Sequence, residues 1–207
     1  MSTGKAEKGR VQQKQRTRQQ ILTAAAALIS SGSRPTVTEA ADAAEVSRRT
    51  AYRYFPSQEK LLTEATLNGV RPAIEEAMAA APAGDSIEDI EARLVMLVQT
   101  VQKLTLRNEP LLRTMIHATV LEKTRGAPKR GTRRLEWIEL AVGGLQRRLK
   151  PAAYERLLTG LALCIGIEAF LVFRDIRGLS GPQATEASEW LALTVLRATL
   201  REGRHER

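Results

Sequence analysis

The chain has 207 residues, a formal net charge of +9, 43% hydrophobic and 27% charged residues. That balance excludes a disordered polymer, and the length suits one or two domains with a buried core. Aromatic residues are scarce at 4%, Ala and Leu abound, and no Val/Ile/Thr alternation appears, so an all-α protein is expected.

The charge is uneven. Residues 1–60 hold 11 Lys/Arg against 5 Asp/Glu, a net of +6, and the other 147 residues hold 21 against 18, a net of +3. A concentration of positive charge at one end points to a polyanion, most often nucleic acid. Composition alone leaves that open against a solvated basic tail. The one cysteine, Cys164, sits in an apolar run and reads as a small core residue, with no internal disulfide to form. The opening stretch Met1–Gln20 is polar and basic, unlike a secretory signal. The longest apolar stretch, Leu157–Phe173, contains Thr159, two glycines and Glu168. It falls short of the roughly 18 apolar residues of a membrane span. No membrane partner and a cytoplasmic location are expected.

In chain order, residues 1–15 are polar, basic and aperiodic, and read as a mobile arm. Helical patterning starts near Arg16, with Ile21, Ala25, Leu28 and Ile29 on one face and Gly32 as the stop. Thr36-Val37-Thr38-Glu39 is a capping box that opens a short helix from Val37 to about Ala44. Glu45-Val46 makes a tight connection, and Ser47 caps a second short helix, Arg48 to Tyr54. Pro56 ends it and Ser57 caps the next. Longer helices follow. The first runs from Leu61 to about Ala81, with a kink at Pro72. The next starts at Asp85-Ser86 and carries Leu94, Leu97, Val98 and Val101. Another starts at Asn108 and carries Leu111, Leu112, Met115, Ile116 and Thr119. After a break at Arg125–Pro128, Trp137, Ile138 and Leu145 lie on a further helix. Pro151 opens one that ends at Gly178, and Pro182 opens the last, which ends near Gly203.

Residues 37–54 have the spacing of a helix, a tight turn and a second helix whose N-terminal half can enter a DNA major groove. That half holds Arg48, Arg49 and Thr50. Arg can donate to guanine O6 and N7 together, and the Thr methyl can touch a thymine methyl. Tyr52, Tyr54 and Lys60 suit phosphate contacts, as do the N–H groups of the helix starts near Thr38 and Ser47. Arg53 is counted with them. The bland alternative takes the aromatics as core and the arginines as a solvated face.

The residues themselves carry a resemblance. Thr-Val-Thr-Glu-Ala-Ala from residue 36, Val46-Ser47, Thr50-Ala51-Tyr52-Arg53-Tyr54-Phe55-Pro56-Ser57 and Glu59-Lys60-Leu61-Leu62 closely resemble the DNA-binding signature of the TetR family of transcription regulators. Arg16–Ser31 is similar to the family's first helix, and Glu168–Leu179 to the penultimate helix of some members. The resemblance implies a three-helix helix-turn-helix domain at the N-terminus and a larger C-terminal helical domain for ligand binding and dimerisation. The expected division is an arm at 1–15, a reader at 16–62 and a body at 63–207. Carried over by position, Thr38, Arg48, Arg49, Thr50, Tyr52 and Tyr54 face operator DNA. Arg16 and Arg18, with Lys5, Lys8, Arg10 and Lys14, are expected along the DNA backbone or in a minor groove, against the alternative of a solubilising tail. The chain departs from the family in having Glu45 at a turn usually made by Gly, Arg49 at a position often small, Gln58 where Lys is common, and Ala40 where a larger apolar residue is usual.

The resemblance also implies a homodimer paired through the last two long helices, where Phe170, Phe173, Arg174, Trp190, Leu193 and Leu196 are the candidate interface residues. The middle helices are expected to enclose a small-molecule inducer, whose binding moves the readers apart and releases the operator. Candidate wall residues are Leu97, Val101, Met115, Ile116, Thr119, Trp137 and Leu140, with His117, Cys164 and Glu168 as polar groups. Ordinary core packing is the competing reading for the apolar ones. Glu168 lies in an apolar helix; if buried it needs a partner, such as a ligand, His117 or an arginine like Arg174 of a neighbouring chain, against the commoner alternative of a solvated face. Nothing points to catalysis: the histidines are His117 and His205 alone, and there is no His-x-x-x-His, Cys-x-x-Cys, phosphate loop or nucleophile elbow. Neither metal nor cofactor is expected. A helical carrier or enzyme with an incidental basic N-terminus is the reading from another class.

Overall fold

The structure, a computed structural model, describes residues 3–113, 116 and 133–205. Among these the backbone is helical and holds no strand. Backbone contacts divide it into two compact units. One comprises the described residues through Arg71 with a piece starting at Pro110; the other comprises Pro72–Glu109 with residues 133–205.

The first unit is built on α1 (Thr3–Ser30), α2 (Val37–Ala43), α3 (Arg48–Tyr54) and α4 (Gln58–Gly69). Ile21, Leu22 and Ala25 of α1 bury against Val37, Ala40 and Ala41, Ala51, Phe55, and Leu61 and Ala65 of α4. The small Ala40 is fully buried, so the reader's core closes without the larger residue. Residue 32 ends α1 in a Schellman cap: the Gly32 N–H donates to Ile29 O at 3.0 Å and Ser33 N–H to Leu28 O at 3.0 Å, with φ +90° at Gly32. The expected aperiodic arm is helical from Thr3 onward. Residues 11–16 are exposed all round, so what makes them helical is the propensity of Gln, Lys and Arg rather than an apolar face.

The second unit contains α5 (Arg71–Ala80) from Pro72 onward, α6 (Ile87–Arg107), α7 (Arg133–Val142), α8 (Pro151–Cys164), α9 (Ile167–Leu171) and α10 (Gly181–His205). Helix α6 packs on α7 and α10, and α8 packs on the same two. Ile90, Leu94, Leu97 and Val98, with Ile138, Leu145, Leu157, Leu161 and Leu196, form fully buried positions. At Gly160 helix α8 comes so close to α10 that a Cβ would lie 2.8 Å from Val195 Cγ1. The buried Arg93 guanidinium donates to Ala141 O at 3.0 Å, to Pro82 O at 2.7 Å and to Gly84 O. It thus satisfies the carbonyls of the loop before α6 from inside.

The single helix expected from Pro151 to Gly178 is broken. It stops at Cys164, turns through Gly166 at φ +116°, resumes as α9 and ends in a π-helical turn over Val172–Ile176. Only glycine takes the Gly166 conformation readily, and a Cβ there would meet the Arg134 guanidinium at 2.8 Å. The long element expected from Leu61 likewise divides, α4 ending at Gly69 and α5 starting at Arg71. No single described helix is long and apolar enough to cross a membrane.

Candidate nucleic-acid interface

The reader's turn is a second Schellman cap, made without glycine. Glu45 N–H donates to Asp42 O at 3.2 Å and Val46 N–H to Ala41 O at 2.9 Å, while Glu45 sits at φ +54°. Val46 then packs on the reader's core, which fixes the exit angle of the chain. The capping box before α2 is complete. Glu39 N–H donates to Thr36 Oγ1 at 3.2 Å, and Thr36 N–H returns a bond to the Glu39 carboxylate at 2.7 Å. That backbone bond, with the Thr36 hydroxyl behind it, holds the Glu39 carboxyl below the usual carboxylate range. Ser47 caps α3 by accepting from Thr50 N–H at 3.3 Å, and Ser57 caps α4 by accepting from Lys60 N–H at 3.2 Å.

These caps orient α3 so that Ala51 and the following Phe55 point into the core while Arg48, Arg49, Tyr52 and Arg53 form an exposed stripe. Tyr52 is 48% exposed, too open for core packing. Arg53 lies over the Tyr54 ring, 5.3 Å from its centroid. Thr50 and Tyr54, expected on the DNA face, are half-buried. Thr50 Oγ1 accepts from the Ser47 hydroxyl at 2.9 Å, and Tyr54 packs against the core. Thr38 is half-buried in the first turn of α2, and Arg16 and Lys60 are exposed.

Two arginines differ from expectation. Arg18 is turned inward: its guanidinium pairs with Glu64 of α4 and lies 5.6 Å over the Phe55 ring. It therefore joins α1 to α4 inside the reader, since α1 and α4 lie along one another there. Arg48 is paired across the turn. Its Nη2 donates to Asp42 Oδ2 at 3.0 Å and its Nε to Oδ1 at 3.4 Å, and this bond and charge raise the Arg48 pKa. The acid that Arg48 meets is thus Asp42 rather than Glu45 of the turn. The signal was an acid in the last turn of α2 facing a base in the first turn of α3. Gln58 also has a structural task, its amide donating to Arg34 O at 3.1 Å and Pro35 O at 3.2 Å, which fastens the loop before α2 to α4.

In the second unit, the candidate ligand residues Leu97, Val101, Trp137 and Cys164 are buried. Ile116, which belongs to the first unit, is half-buried, while Met115, His117 and Thr119 lie outside the described residues. Leu140 is 52% exposed, a correction. The buried stripe of α7 runs through Trp137, Ile138, Ala141 and Val142, and Leu140 falls beside it. Glu168 pairs with Arg134, which also donates to Ala162 O at 3.0 Å. Burial pushes the Cys164 thiol up. Its carbonyl accepts from the Ser188 hydroxyl, and Ser188 Oγ accepts from the Gln102 amide at 2.9 Å. Of the candidate interface residues, Phe170, Phe173 and Leu196 are buried within the chain, and Arg174 donates to Leu179 O at 2.7 Å. Leu193 is half-buried, and Trp190 is 65% exposed. Leu163, Val172 and Ile176, not singled out from sequence, are exposed as well.

Residues 21–65, which span the end of α1 through α4, match the family described as bacterial regulatory proteins, tetR family. No curated protein and no solved structure matches the chain.

Proposed function

Since the chain is a DNA-binding transcription regulator of the tetR family, identified through residues 21–65, we propose that it is a repressor that binds its operator as a homodimer and leaves it when a small molecule enters the body. The observation that carries this reading is the exposed stripe Arg48, Arg49, Tyr52 and Arg53, held outward by the Ser47 and Ser57 caps in the matched segment. In this reading residues 16–62 are the reader, 63–207 the body, and the basic residues before Arg16 add phosphate attraction. Arg48 and Arg49 read bases, and Tyr52, Arg53 and Lys60 hold phosphates.

Dimerisation is supported by the exposed apolar side chains of Leu163, Val172, Ile176 and Trp190. A ligand is supported by two buried polar atoms, Gln102 Oε1 and Trp137 Nε1, that have no hydrogen-bond partner among the described residues. In this reading the protein works in the cytoplasm, beside the DNA it regulates.

The test is binding of the purified chain to its own upstream intergenic DNA, beside an Arg48→Ala/Tyr52→Ala variant. Specific binding lost in the variant, with two chains per operator, supports the reading. Specific binding by a single chain removes the homodimer, and equal binding by the variant removes the assigned reader face.

A further inference from the structure

The Asp42–Arg48 pair deepens the proposed DNA reading and rests on it. Arg48 is the first residue of α3, and Asp42 belongs to the last turn of α2. Both side chains are more than half exposed, so the pair adds little to folding. Its geometry is informative instead. The carboxylate occupies Nε and one N–H of Nη2, through contacts of 3.4 and 3.0 Å. A guanidinium carries five N–H groups in a planar fork. The edge taken by Asp42 is one of those that grips a phosphate with two parallel bonds. The edge between Nη1 and Nη2 remains, and it can donate in parallel to O6 and N7 of a guanine.

We propose that Asp42 is a positioning residue for sequence recognition: it holds Arg48 by its inner edge, takes that edge away from phosphate and aims the outer edge at one guanine of each half-site. A negative charge at this place also opposes binding to DNA of any sequence, because it cancels the counterion release that Arg48 alone brings. Asp42 thereby trades non-specific affinity for discrimination. Glu45, exposed in the same turn, lacks this role because the fork of Arg48 is directed at Asp42 instead.

The experiment measures fluorescence anisotropy of the full-length chain and of Asp42→Ala, Asp42→Asn and Arg48→Ala. The probes are an operator duplex from the upstream DNA, a set with each base pair replaced in turn, and a scrambled duplex. Arg48→Ala identifies the base pair at which discrimination disappears. Asp42→Ala is expected to lose about tenfold of the preference at that same pair and to leave the others unchanged. Its affinity for the scrambled duplex rises, with a salt slope steeper by about one. Asp42→Asn, which keeps an acceptor and loses the charge, retains part of the preference. Full discrimination at the Arg48 pair in Asp42→Ala overturns the role, and so does an equal loss at every pair. A wild-type chain that binds all duplexes alike overturns the DNA-reader reading itself, a result distinct from either.

Discussion

Replacing Glu45 by Gly is expected to stabilise the reader. Glu45 holds φ +54° at the left-handed position of the turn, where a Cβ costs about 1–2 kcal/mol. Glycine removes that strain and adds about 0.4–1 kcal/mol of unfolded-chain entropy to be lost on folding. The balance lies between about 0 and 1.6 kcal/mol, with a midpoint gain of about 0.8 kcal/mol. The Val46 N–H, which bonds to Ala41 O at 2.9 Å, reports the turn directly. Its amide exchange is expected to slow by about two- to fivefold in Glu45→Gly when the turn opens locally. Urea unfolding followed by circular dichroism is expected to show a higher midpoint at unchanged slope. Glu45→Ala is the control, because alanine keeps the Cβ and loses the carboxylate as glycine does. If the glycine variant exchanges no more slowly than the alanine variant, the strain argument is wrong. Both variants remove a carboxylate from the turn beside the recognition helix, so both are expected to bind DNA more tightly.

Other outcomes follow from the same geometry. Arg18→Leu removes the Glu64 pair and the contact over Phe55; a loss of about 1 kcal/mol is expected in unfolding experiments, with base preference unchanged. Gly166→Ala forces a strained backbone and a clash with the Arg134 guanidinium, so thermal melting is expected to show a loss of about 1–3 kcal/mol from the backbone alone. Shortening Arg134 to Ala in the same chain should recover the steric part and not the backbone part. Ser188→Ala leaves the buried Gln102 amide and Cys164 carbonyl unmatched, at about 1–3 kcal/mol for an orphaned group; unchanged stability in urea would dismiss the relay. The lowered Glu39 pKa stabilises the fold above the ordinary carboxyl pKa, and that contribution disappears as pH falls through the folded value. The stability gap between the native chain and Thr36→Val should accordingly narrow in acid, and a constant gap would show that the pair does not titrate.

Features set by neighbours three or four residues apart were legible in the sequence. The Thr36–Glu39 box, the Ser47 and Ser57 caps and the Gly32 stop are backbone chemistry written locally, and they locate α2, α3 and α4. The outward placement of Arg48, Arg49, Tyr52 and Arg53 follows from the period of so short a helix. What was hidden depends on distant partners. Arg18 finds Glu64 across 46 positions, and Arg134 finds Glu168 across 34, so neither inward turn has a local sign. Phe170, Phe173 and Leu196 look suited to an interface because they are apolar. Phe170 and Phe173, after the break at Gly166, and Leu196, on α10, are buried in the chain's own packing instead, while Trp190 stays outside. Leu140 shows the same limit, since a one-residue difference around α7 decides between core and solvent. The helical start at Thr3 was missed because a solvated polar helix has no apolar period to read.

The most direct test of the central claim is competition between the upstream duplex and a scrambled duplex of the same length for the purified chain, at low and at moderate salt. A sequence-reading regulator prefers its own upstream DNA at both, by roughly a thousandfold or more, and binds both duplexes more weakly as salt rises. Equal affinity for the two duplexes at both salts would contradict the account and leave the exposed arginines of α3 as a solvated surface.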